Sequence, residues 1–386
     1  MDHPHTGYIR TPSELDAAFR ALERSLGLTS SPQRRLRMIC EFYSHARLLP
    51  DAWLTGYILF LAPAVLELVR LPYIRNYPPG VWADAYDLVS LIERQPWAER
   101  HSGIPESRQA ALEQVILAHG FVSSLRELHG WLTQQSLITE TLVEKDWSSI
   151  FSASTNGYGL FQAYVRLLES KNSSCTEILL RALGTWGDYR RAAAVSVILL
   201  DEEADDRQAT GRVLLMDIHV HGDQSGRSHI TNALGDSGHQ TVQQLRNAEV
   251  VSDRIIHNRF SAIPPKPQFI FSLHESSAEL VGESLGVGAV AGLLVRRTQQ
   301  MNLRERWSLP SVVACTGSID AEGNVAAGSW ESVERKLQLA FHSPVERVVL
   351  PAVHREAALH ALQRLQRDFP NRALAVIGVS HVADLP

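Results

Sequence analysis

Gly282-Glu283-Ser284-Leu285-Gly286-Val287-Gly288-Ala289-Val290-Ala291-Gly292-Leu293-Leu294 places a serine between two glycines where an apolar helix begins. At such a point the first backbone N–H groups have no partner within the helix and its dipole is positive. The amides of Gly282, Glu283 and Ser284 are therefore candidate donors to the oxyanion of a tetrahedral intermediate, and Gly282 and Gly286 would let a substrate backbone come close. Ser284, Gly288 and Gly292 share one helix face, which is smooth enough for tight packing. The plain alternative is that Ser284 only caps the helix.

A matching base lies downstream. Glu334-Arg335-Lys336-Leu337-Gln338-Leu339-Ala340 sets a lysine among apolar neighbours in a helical stretch. Burial disfavours the ammonium form, and only the neutral amine can take a proton from a serine. Arginine cannot do this. Of 37 basic residues only Lys145, Lys171, Lys266 and Lys336 are lysines, so a lysine retained at this position calls for a chemical reason.

Around these two segments strand and helix patterns alternate. Residues 193–200 and 213–220 read as a β-hairpin about the acidic turn 201–206. A helix at 237–258 follows, then a strand from Phe269 to His274, the helix from Ser284 and a strand from Val312 to Ile319. The helix through Lys336, a strand at Arg347–Leu350, a helix at 352–368 and a strand at Leu374–Val379 complete the pattern. This argues for an α/β or α+β domain over residues 191–386. Residues 1–190 carry apolar positions three or four apart, as in Leu15-Ala18-Leu22-Leu26, and are expected to form an all-α domain. Its helices would be separated at Ser30-Ser31-Pro32, Tyr77-Pro78-Pro79-Gly80, His101-Ser102-Gly103 and Asn172-Ser173-Ser174. Ala52–Leu66 is uncharged but short for a membrane span, and reads as a buried helix.

The composition narrows the function. A formal net charge of -5, with no basic stripe, argues against a nucleic-acid partner. Three dispersed cysteines, Cys40, Cys175 and Cys315, offer neither a disulfide framework nor a metal site, which fits a reducing cytoplasm. The first sixteen residues lack the pattern of a signal peptide. His219-Val220-His221 sets two imidazoles on one strand face without a clear third ligand, and Cys315 reads as a small core residue.

Several stretches, in order, resemble the proteolytic domain of the Lon protease family. That family's Pro-Glu-Gly-Ala-Thr-Pro-Lys-Asp-Gly-Pro-Ser-Ala-Gly segment aligns without a gap on residues 274–286, placing Ser284 on the nucleophile. Thr316-Gly317-Ser318-Ile319 with Gly323-Asn324-Val325 is similar to its Thr-Gly-Glu-Ile and Gly-x-Val elements, and Glu334-Arg335-Lys336-Leu337 to its Lys-Glu-Lys-Leu helix. Residues 231–236 resemble its Thr-Gly-x-Leu-Gly-Asp turn, and Val348-Val349-Leu350-Pro351 the strand after the lysine helix. The likeness covers about residues 192–386 and departs at Val281, Glu283 and Ser272. It implies a serine endopeptidase with a Ser284–Lys336 dyad held by Thr316, acting on protein or peptide substrates with no cofactor or metal. A Gly-x-x-x-x-Gly-Lys-Ser/Thr phosphate loop is absent from the sequence, so an ATP-driven motor is not expected. Residues 1–190 would then be a sensor, adaptor or docking domain, with a regulatory partner in prospect. Two other readings stay open: a catalytically silent Lon-fold scaffold, and an α/β-hydrolase whose Gly-x-Ser-x-Gly elbow is completed by Asp320 and His342 or His381.

Overall fold

The computed structural model describes residues 8–29, 31–71, 76–191, 195–201, 211–221, 229–231, 238–261, 268–273, 280–281, 284–301 and 312–385. Its helices and mixed sheet divide into two compact units. The first comprises residues 1–120, 125–147 and 163–183; the second comprises 121–124, 148–162 and 184–386. The units are thus not separated at a single point in the chain.

Up to residue 191 the described regular structure is helical: α1 (Pro12–Leu28), α2 (Pro32–Ala46), α3 (Asp51–Leu68), α4 (Pro79–Glu93), α5 (Ile104–Phe121), α6 (Leu125–Gln134), α7 (Glu144–Ser152), α8 (Gly157–Ser170) and α9 (Thr176–Arg191). The expected breaks supply the caps. Ser31 accepts from the Arg34 N–H at the start of α2, Pro78 precedes α4, and Gly103 before α5 has a φ of 81° that suits glycine. Helix α1 opens with a capping box in which Thr11 and Glu14 each serve the other's backbone. Helix α3 differs from expectation. It is buried on one face, through Leu54, Ile58, Leu61, Val65 and Leu66, while Trp53, Leu59 and Phe60 are exposed on the other. Among the described residues it is the one helix long and apolar enough to cross a membrane.

The second unit is built on a mixed sheet. Its strands are β1 (Val195–Asp201), β2 (Gly211–His221), β3 (His229–Thr231), β4 (Gln268–Leu273), β5 (Leu280–Val281), β6 (Val313–Cys315), β9 (Arg347–Pro351) and β10 (Ala375–Val379), with β7 (Ser318–Ile319) and β8 (Val325–Ala326) forming a separate ribbon. The spatial order is β10-β9-β6-β1-β2-β4-β3. The run from β10 to β1 is parallel, and β2 is antiparallel to both β1 and β4. The expected hairpin is the β1–β2 pair, in the register Val197 opposite Leu214. The expected strand 312–319 is broken instead into β6 and β7. At Gly317 the chain takes a φ of 139°, and a side chain there would press on Val287 and Val325.

Strand alternation sorts side chains to the two faces. Val195 and Val197 of β1, Leu214 and Met216 of β2 and Cys315 of β6 pack with α10 (Gly238–Phe260) and α11 (Leu285–Gln300). Ile198, Val213, Ala314, Val348 and Leu350 pack on the opposite face with α12 (Trp330–Phe341) and α13 (Arg355–Asp368). Helix α11 is apolar on every side because every side is buried from Leu285 to Val295. Gly288 lets it approach the sheet: a Cβ there would lie 2.9 Å from Val197 and 3.5 Å from Cys315. A Gly288→Val variant is therefore expected to lose about 1–3 kcal/mol of stability by overpacking, read as a lower urea midpoint with an unchanged slope.

Candidate active site

The sheet forks beside β1. On one edge of this strand β6 pairs only as far as Val197 opposite Cys315, and β5 takes up the same edge, antiparallel, at Leu200 opposite Val281. Thr316 follows β6 directly and Ser284 follows β5 by three residues. The two hydroxyls thus stand on the two branches of the fork, just beyond the C-terminal end of a parallel strand. Crevices at strand ends of this kind are where open α/β sheets hold their ligands.

Ser284 is the N-cap residue of α11, yet its side chain makes no capping hydrogen bond. The hydroxyl instead accepts from the Lys336 Nζ, which also donates to Thr316 Oγ1 at 3.3 Å. An N-cap role for the serine, the plain alternative from the sequence, is thus not the role its side chain takes.

Lys336 comes from the opposite layer. Ser329 caps α12 by accepting from the Ser332 N–H, Glu331 sits in the first turn, and Val333, Lys336, Leu337 and Ala340 form its buried face. The helix end is held by Arg372, whose buried guanidinium donates to the carbonyls of Ala340, Phe341, Ser343 and Val345. Lys336 is 5% exposed and Thr316 2%. Among the described residues no carboxylate forms an ion pair with Lys336, and burial alone lowers its ammonium from the ordinary 10.5 to about 8. Thr316 is fixed through its backbone, its N–H donating to the Val349 carbonyl at 2.9 Å, and the Val287 N–H reaches the neighbouring Gly317 carbonyl at 3.2 Å. These bonds join β6, β9 and the first turn of the serine helix around the two hydroxyls.

Ser284, Lys336 and Thr316 are therefore together, whereas Gly282 and Glu283 lie outside the described residues, as does the side chain of Val281. Gly286 has a different use from the close substrate approach expected of it. It is buried against Ile319 and the Gln244 side chain, so the backbone that comes close is the protein's own. Gln244 and Asn247 of α10 were not apparent as site residues from sequence. Gln244 accepts from the Ile319 N–H at 2.7 Å and donates to its carbonyl at 3.2 Å, and Asn247 donates to the same carbonyl at 2.9 Å. The only signal in the sequence is two amide side chains one helical turn apart, which is too common to single out.

The other candidates lie elsewhere. Asp320 accepts from the backbone N–H groups of Glu322, Gly323 and Asn324, and its carboxyl is held below the ordinary range first by the Asn324 side-chain amide. His381 accepts from the Ala383 N–H, and His342 packs between Phe341 and Phe369. These arrangements give the α/β-hydrolase reading no support. Cys315 is fully buried, and burial pushes its thiol up to about 12, as befits an inert core residue. His219 is exposed, and among the described residues no group of three or more His, Cys, Asp or Glu could hold a metal ion. No protein-family model matches the chain, and no curated protein matches it either.

The lowered lysine sets a stability test. Below about pH 8 Lys336 is protonated in both folded and unfolded states, and the cost of burying it is present in full. Between that pH and 10.5 the unfolded chain binds more protons, so this contribution to stability rises with pH; above 10.5 the cost is gone. Lys336→Met is expected to raise stability by up to about 3 kcal/mol near neutrality, the gain fading through pH 8 to 10.5. Urea unfolding of both proteins across that range checks it.

Proposed function

We propose that the chain is a serine endopeptidase of Lon type, cleaving protein or peptide substrates in the cytoplasm without ATP. The observation that carries this reading is the Ser284 hydroxyl, withheld from helix capping and engaged by a buried lysine that has no carboxylate partner among the described residues. The order of the Lon-like segments in the sequence supports the same assignment.

In this reading Lys336 in its neutral form takes the Ser284 proton as the oxygen attacks the scissile carbonyl. The resulting ammonium then gives that proton to the leaving amine, and water completes the cycle on the acyl-enzyme. Thr316 holds the amine on the line to Ser284. The amides of Gly282, Glu283 and Ser284 are the proposed oxyanion donors. The first unit is proposed as a sensor, adaptor or docking element, because a peptidase without a motor needs another means of choosing what it cuts.

One experiment separates a base from a mere positive charge. On a single fluorogenic peptide, Ser284→Ala is expected to lose essentially all turnover. Lys336→Arg should fall nearly as far as Lys336→Met, since guanidinium stays protonated. The wild-type acylation rate should climb through pH 8 as the amine becomes neutral. Substantial turnover by the arginine variant would remove Lys336 as the base, and full activity in the alanine variant would remove the serine-peptidase reading.

The role of the first unit has its own check. Residues 1–101 all belong to that unit. A chain lacking them is expected to change its selection among protein substrates while still cleaving a short peptide. Unchanged selectivity and unchanged activation requirements would dismiss the idea.

A further inference from the structure

The Thr316–Ile319 segment carries the hydroxyl that anchors the lysine, and Ile319 sits on a two-stranded ribbon, paired with Val325. Its other edge would leave a buried N–H and C=O without partners, since Ile319 is 2% exposed. The Gln244 amide fills that edge as a neighbouring strand would, accepting from the N–H and donating to the C=O of one residue. Asn247 adds a second donor to the same carbonyl. The amide fits there because residue 286 is glycine: a Cβ at Gly286 would collide with Gln244 Oε1 and lie 3.0 Å from the Ile319 nitrogen. Gln244 therefore touches both structures that must stay in register, the first turn of the serine helix and the segment leading from Thr316.

We propose that Gln244 is a positioning residue for the Ser284–Lys336 pair, its side-chain amide acting as a strand surrogate that locks the Thr316–Ile319 segment against the first turn of α11. Asn247 supports it at one of the two bonds. The catalytic consequence rests on the peptidase reading, whereas the effect on the lysine's surroundings does not. Without the amide, the buried backbone groups of Ile319 must find water or shift, and the segment carrying Thr316, to which Lys336 donates, loosens with them. Among the described residues no charged side chain contributes to the lowered lysine, whose shift comes from burial, so its titration reports how dry the amine is held.

Four lysines in the whole chain make the measurement practicable. The full-length protein labelled with ¹³C at lysine Cε would be titrated by NMR, the Lys336 signal being the one missing from Lys336→Met. In folded Gln244→Met that signal is expected to titrate at higher pH than in wild type. Turnover of the peptide, per site, is expected to fall by about tenfold or more with KM nearly unchanged, the pattern of misplaced rather than unbound groups. Gln244→Asn, the same amide one methylene shorter, serves if the methionine variant does not fold. A Lys336 titration and per-site kcat identical to wild type in a folded variant, with only a lower melting temperature, would overturn the inference. A shifted lysine in a protein that does not cleave peptide even as wild type would uphold the positioning role and overturn the peptidase reading instead.

Discussion

Lys336 is an amine kept out of water with no carboxylate among the described residues to balance it, and the second unit is arranged around tolerating that. Its partners are two hydroxyls, which can accept a hydrogen bond from either the ammonium or the neutral amine. A carboxylate in their place would hold the amine charged and raise its proton affinity, the reverse of what a base near neutrality needs. The destabilisation this implies, about 3 kcal/mol near neutral pH, is a sizeable part of the roughly 5–15 kcal/mol by which folded domains are stable. It has to be offset by the packing of the layers on either side.

Those layers explain how the amine reaches the serine at all. Helices α11 and α12 lie on opposite faces of the sheet, so continuous pairing along β1 would wall one off from the other. The fork, where β6 ends at Cys315 and β5 joins at Val281, leaves the place where a side chain from one layer meets a hydroxyl from the other. Gly317 turns the chain out of β6, and Gly286 and Gly288 let α11 sit close to both the ribbon and the sheet. Gly286 and Gly288 thus serve the protein's own close approaches.

The buried arginines show why a lysine stands at 336. Arg297 is buried with its guanidinium against Asp253, the Ser252 hydroxyl and the face of Phe269. Arg372 meets backbone carbonyls at the end of α12. Each holds several acceptors with its rigid fork of donors and remains a cation near neutral pH. A chain so rich in arginine uses that group wherever a buried positive charge is structural. The position facing Ser284 holds a lysine, which unlike arginine can give its proton up.

From sequence alone, the order of the longer strands and helices in residues 191–386 was legible, since hydrophobic period and turn residues are local signals, whereas the short strands β3, β5 and β8 were not. Ser284 and Lys336 were legible as candidates, because a serine at a glycine-flanked helix start and a lysine among apolar residues are each unusual in this chain, whereas Thr316 entered only through the resemblance to the Lon-type motif. The uncharged run at Ala52–Leu66 was legible as a helix with a buried face, but the exposure of Trp53, Leu59 and Phe60 was not, because a sequence without charges does not say which face is covered. What only the tertiary structure decided was non-local. The break of 312–319 into two strands, the interleaving of segments between the two units, the hydroxyl turned from capping toward Lys336 and the Gln244 amide on Ile319 all depend on residues tens of positions apart. Pairing across such distances is set by shape and burial of the whole core, for which no short stretch of sequence carries a signal.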